Sequence, residues 1–140
     1  MSEKPPVGVR SRLLLVQGLK FGTVGGVATV VHLALFVFCI ELAGMRPFWA
    51  NFPAFAVALL VGFTGHFLWT FRHRDRDGAN SWVTAFAKFA ATAVSGLLLN
   101  SLIVYAVVDG FGMGYGYAAA LMATLTPAAV FSVSKFWAFA

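Results

Sequence analysis

Charged residues are scarce in this chain: they make up 11% of 140 residues, and only five are acidic. A soluble domain of ordinary composition is about a quarter charged, so a free-standing soluble domain is excluded for most of the length. Cysteine is nearly absent. Cys39 stands alone, which rules out an intrachain disulfide and leaves a small apolar residue for packing. The three histidines, His32, His66 and His73, are too dispersed for a metal site. The apolar stretches hold no carboxylate pair, and there is no glycine-rich phosphate loop. The expectation is a protein that is not an enzyme and that carries no cofactor or metal.

What the chain has instead is apolar length. Hydrophobic residues supply 60% of it, concentrated at 21–42, 48–71, 86–108 and 117–139. Each stretch is close to the ~20 residues that cross a ~30 Å hydrocarbon core. The pattern predicts an all-α polytopic membrane protein with four transmembrane helices in two tandem, parallel-oriented hairpins. The expected divisions of this single membrane domain are a tail at 1–9, a short interfacial helix at 10–20, a first hairpin at 21–71, a cytoplasmic loop at 72–85 and a second hairpin at 86–140. Three further spans follow the first, which is expected to be retained and not cleaved as a signal.

Basic residues set the orientation. Lys4, Arg10, Arg12 and Lys20 precede the first stretch, Arg72, Arg74, Arg76 and Lys88 lie between the second and third, and Arg46 alone sits in the other connections. That bias puts both termini and the middle loop in the cytoplasm of an inner (plasma) membrane. It accounts for the net charge of +5 through topology and anionic lipid. No basic face is large enough for nucleic acid.

Sliding the chain by 68 positions sets Lys20 and Phe21 over Lys88 and Phe89. The same shift pairs Glu41 with Asp109, Gly44 and Met45 with Gly112 and Met113, Phe63 with Phe131, and Trp69 with Trp137; His32 falls on Asn100. An internal duplication with both copies in the same orientation is expected. Within the spans, Asn51, Phe55, Ala58, Gly62, Gly65, His66 and Trp69 share one face of the second helix. Thr92, Ser95, Gly96 and Asn100 share a face of the third, and Thr124, Pro127, Phe131, Ser134 and Lys135 are assigned to the interior face of the fourth. Gly18, Gly22 and Gly26 form overlapping GxxxG spacings, a close-approach ridge that points to a homo-oligomer, most simply a dimer.

The "ANFPAF" that opens the second helix, the "WTFR" that ends it, the "LLLN" of the third and the closing "SKFWAF" resemble the GtrA-like family of small four-helix membrane proteins. The resemblance runs from about Leu15 to the end. It implies translocation of a polyprenyl-phosphate-linked monosaccharide between leaflets, supplying glycosyltransferases that decorate cell-envelope glycans. One departure stands out. The family's second helix often ends with a polar and a basic residue before Trp-x-Phe, and here those positions are His66 and Phe67, while the second copy keeps Ser134 and Lys135.

Such a substrate needs a cationic contact at headgroup depth, a polar seam for the sugar, and aromatic faces. Lys20, Lys88, Lys135 and Arg72 stand at the right depth for the first, with Ser134 beside Lys135; His32, Asn51, His66 and Asn100 could form the second. Trp49, Trp69, Trp82 and Trp137 fit an interfacial belt, with Trp69 and Trp137 also candidates for stacking on the sugar because they recur in the repeat. Lys135 is expected to contact the phosphate, since its counterpart Phe67 shows that topology alone demands no charge there. The other reading is a non-transporting accessory subunit that binds and stabilises a membrane glycosyltransferase.

Overall fold

The computed structural model describes residues 6–70 and 80–138. Among them every regular element is helical: α1 (Val7–Glu41), α2 (Pro47–Thr70), α3 (Asn80–Val104), a π-helical turn (Tyr105–Gly110) that prolongs α3, and α4 (Tyr115–Ala138). Three helical stretches are long and apolar enough to cross a membrane, Val7–Glu41, Pro47–Trp69 and Phe86–Gly110, and the chain is a multi-pass membrane protein. The fourth helix has 24 residues, the same length as α2.

The N-terminal expectation needs correction. A separate interfacial helix at 10–20 was to turn into the membrane near Lys20, but α1 runs unbroken from Val7 for 35 residues, about 52 Å at 1.5 Å per residue. Nothing in the segment stops it. Its weakest helix former is Gly18, which lowers helix propensity without breaking the backbone ladder. The far end of the middle loop also differs, since α3 begins at Asn80 and so takes in part of the stretch assigned to 72–85.

The duplication is written into the backbone. Pro47 and Thr70, which bound α2, fall under the shift on Tyr115 and Ala138, which bound α4. The two turns also match. Gly44 and Gly112 hold φ of 66° and 65°, the left-handed region that favours glycine. Met45 N–H donates to the Cys39 carbonyl at 3.0 Å and Met113 N–H to the Val107 carbonyl at 2.9 Å. Ala43 reaches back to Phe38 as Phe111 reaches back to Ala106.

Packing follows the same correspondence. α1 lies mainly on α2 and α4 mainly on α3, with α2 against α3 joining the halves. The core at the turn end is built from Phe36, Ala50, Ala54, Val104, Ala118 and Met122. Phe36 corresponds to Val104, Ala50 to Ala118 and Ala54 to Met122. Further along, Gly62 meets Ala28 and Gly96 meets Val130. These are the same contact in the two copies, with the small residue moved from the second helix to the first.

Candidate functional site

A polar side chain facing lipid tails has no water to bond, so those inside an apolar bundle turn inward and find one another. Four do so here. His32, Asn51, His66 and Asn100 are the buried polar residues among those described, and Asn51 has no exposed surface. The four residues expected to form the polar seam are thus all interior.

Their partners are specific. His32 Nε2 and Asn51 Oδ1 lie 3.0 Å apart, and Asn51 Nδ2 donates to Ser101 Oγ at 3.1 Å, so one chain of hydrogen bonds ties α1, α2 and α3. Since Asn51 Oδ1 can only accept, the His32 nitrogen that faces it carries the proton. One residue before Ser101, Asn100 lies on a different side of α3, where its Oδ1 accepts from the Thr126 hydroxyl of α4. His32 and Asn100 are equivalent in the repeat and both buried, yet they bond to different places. Asn51 corresponds to Ala119, and Thr126 to Ala58, so each copy carries its partner residue at a different height on its second helix.

His66 is the fourth member and sits among rings. Its centroid is 4.7 Å from that of Phe21 and 5.6 Å from that of Phe89. Phe63 extends the cluster to Phe86 at 4.8 Å and Phe89 at 5.8 Å. Beside it, Lys20 Nζ lies 5.7 Å from the centre of the Trp69 ring, within reach of a cation–π contact. Two residues proposed on separate grounds, one for the headgroup and one for stacking, are therefore in contact. Lys88 corresponds to Lys20 and is exposed; its carbonyl accepts from Thr92. Arg72 and the side chains of Ser134, Lys135 and Trp137 lie outside the described residues.

The interior face assigned to α4 needs a correction. Thr124 is exposed and bonds to its own helix, to the carbonyls of Ala120 and Leu121, and Pro127 is exposed too. The inward hydroxyl is Thr126. Ser101 and Thr126 are the hydrogen-bonding partners of the buried asparagines that the sequence did not single out. Ser101 follows Asn100 directly, and two polar residues in succession inside an apolar stretch were the available sign.

At the turn end, outside the expected span 117–139, the Tyr115 hydroxyl donates to the Glu41 carboxylate. That hydrogen bond, with some burial and the nearby negative charge, holds Tyr115 above its ordinary pKa of 10.0.

Comparison with curated proteins and with solved structures returns no match. The sequence model of one family, described as the GtrA/DPMS transmembrane domain, matches residues 20–139. With nearly the whole described bundle inside that match, the chain belongs to the GtrA/DPMS transmembrane-domain family.

Proposed function

We propose that this protein moves a polyprenyl-phosphate-linked monosaccharide from the cytoplasmic to the outer leaflet of the plasma membrane, for modification of cell-envelope glycans. In this reading α4 is the fourth span, the helices form two tandem hairpins, and both termini face the cytoplasm. Family membership supports the broader class, a membrane protein that handles glycan precursors.

The observation that carries the reading is the chain of hydrogen bonds through His32, Asn51 and Ser101 inside an apolar bundle. A sugar hydroxyl placed in hydrocarbon without a partner costs roughly 4–8 kcal/mol. A seam whose groups can trade their present partners for hydroxyls removes most of that barrier. The polyprenyl tail meanwhile stays in lipid. Lys20 against Trp69, with Lys88, Lys135 and Arg72, supplies positive charge where the phosphate starts, and the rings around His66 line the way in.

The test is leaflet exchange of a polyprenyl-phosphate hexose in liposomes holding only the purified protein. Exchange above that of protein-free liposomes supports transport. Its absence, together with loss of a glycosyltransferase from the membrane when this protein is missing, establishes the accessory-subunit reading instead. Pairing of two copies is part of the proposal, because Gly18, Gly22 and Gly26 lie exposed with nothing within 4 Å of where a Cβ would be.

A further inference from the structure

The duplication produces two equivalent corners at the turn end of the bundle, and they are built differently. In one, the end of α1 meets the start of α4, and the Tyr115 hydroxyl donates to Glu41. In the other, the π-helical end of α3 faces the start of α2 across a gap. There Asp109 replaces Glu41 and Pro47 replaces Tyr115, so the position equivalent to Tyr115 offers the carboxylate no hydroxyl. The second corner is open: a cavity of about 350 Å³, lined by Arg46, Pro47, Phe48, Trp49, Tyr105 and Asp109.

Its lining differs from its counterpart in chemistry as well as shape. The positions equivalent to Arg46, Trp49 and Tyr105 are Gly114, Tyr117 and Val37, so the open corner alone has a guanidinium, an indole and a phenol grouped about a carboxylate. Among the described residues the side chains of Arg46 and Asp109 make no ion pair or hydrogen bond, the Ala50 N–H bonding only to the Arg46 backbone carbonyl, and both line the cavity. Trp49 is held in place by ring contacts with Phe48 at 5.3 Å and Phe52 at 5.9 Å, while 58% of its surface stays open. The π-helical turn puts Tyr105 and Asp109 on the cavity together; such turns recur at functional sites.

We infer that this corner is a binding site for a phosphorylated sugar headgroup. The guanidinium takes the phosphate, for which its planar fork of donors is suited. Asp109 accepts from sugar hydroxyls, and the faces of Trp49 and Tyr105 cover the apolar side of the sugar ring. The volume falls in the range of about 300–1,000 Å³ usual for small-ligand sites. The inference rests on the transport reading for its place at the outer leaflet, where a headgroup that has crossed would be held, but the cavity's chemistry stands apart from that reading.

The experiment measures binding of glucose 1-phosphate, inorganic phosphate and glycerol 3-phosphate to the full chain in nanodiscs. Arg46→Gln is expected to weaken glucose 1-phosphate binding at least tenfold. Trp49→Ala should weaken glucose 1-phosphate but leave inorganic phosphate unchanged, and Tyr117→Ala, in the opposite corner, should alter neither. Arg46 and Trp49 are both exposed, so neither change threatens the fold. Glucose 1-phosphate binding indifferent to both substitutions overturns the inference. So does equal affinity for glycerol 3-phosphate, which would mark an ordinary phospholipid headgroup site. Leaflet exchange by the parent protein is scored separately: exchange without cavity binding removes this site and leaves transport, and cavity binding without exchange does the reverse.

Discussion

Replacing Asn51 removes two interhelical hydrogen bonds at once and leaves a histidine and a serine without their partner. Interhelical bonds in membranes average about 0.6 kcal/mol and reach about 1.7. Asn51→Leu is therefore expected to destabilise the bundle by about 1–3 kcal/mol, and Ser101→Ala by less, in reversible unfolding in mixed micelles. Equal losses would show that the bond to His32 contributes nothing. Tyr115 offers a test by pH. Its raised pKa means that the bond to Glu41 stabilises the fold fully below the ordinary value of 10.0 and is lost as pH rises through the shifted one. Ultraviolet difference titration of the parent against Tyr115→Phe should assign a late-ionising phenol to Tyr115; a difference curve with an ordinary midpoint would show that the bond to Glu41 does not hold it neutral.

At the scale of helices, the glycines that face a neighbour rank themselves. A Cβ on Gly65 would lie 2.8 Å from Val24 Cγ1, and a β-branched neighbour has little room to turn away. On Gly62 the nearest atom is the Cζ of Phe89 at 3.4 Å, an ordinary contact. Alanine gains up to about 1 kcal/mol over glycine within a helix, whereas overpacking costs about 1–3 kcal/mol. Gly65→Ala should thus destabilise and Gly62→Ala be neutral or stabilising in the same unfolding assay. The inward face of α2 could be read from spacing because polar and small residues mark it from Asn51 to His66. That of α4 could not. Its inward residues Ala118 and Met122 resemble its lipid-facing ones, and lipid is as apolar as a core, so hydropathy does not tell the two sides apart. The duplication was legible for the opposite reason: its identities lie at polar and turn positions such as Gly44 and Gly112, where backbone geometry limits the choice. The open corner was hidden because it depends on what Pro47 and Tyr115 do at equivalent places, which sequence spacing does not reveal.

For the whole molecule, the exposed ridge of Gly18, Gly22 and Gly26 separates folding from association. A Cβ on Gly22 meets nothing within 4 Å inside one copy and the position is exposed, so in Gly22→Leu the unfolding free energy of the monomer should hold while crosslinking between copies in lipid falls. Crosslinking unchanged from the parent would remove the dimer. Among the described residues, the hydrogen bonds between side chains of different helices join α1 to α2, α2 to α3 and α3 to α4, all in the interior. α1 and α4 are linked by one such bond, from Tyr115 to Glu41 at the extreme turn end. These two helices are thus pinned like a pair of shears. Below that pin no other described side-chain hydrogen bond holds them together, so in the transport proposed above the gap between these blades is where a head would pass while its tail stays in lipid.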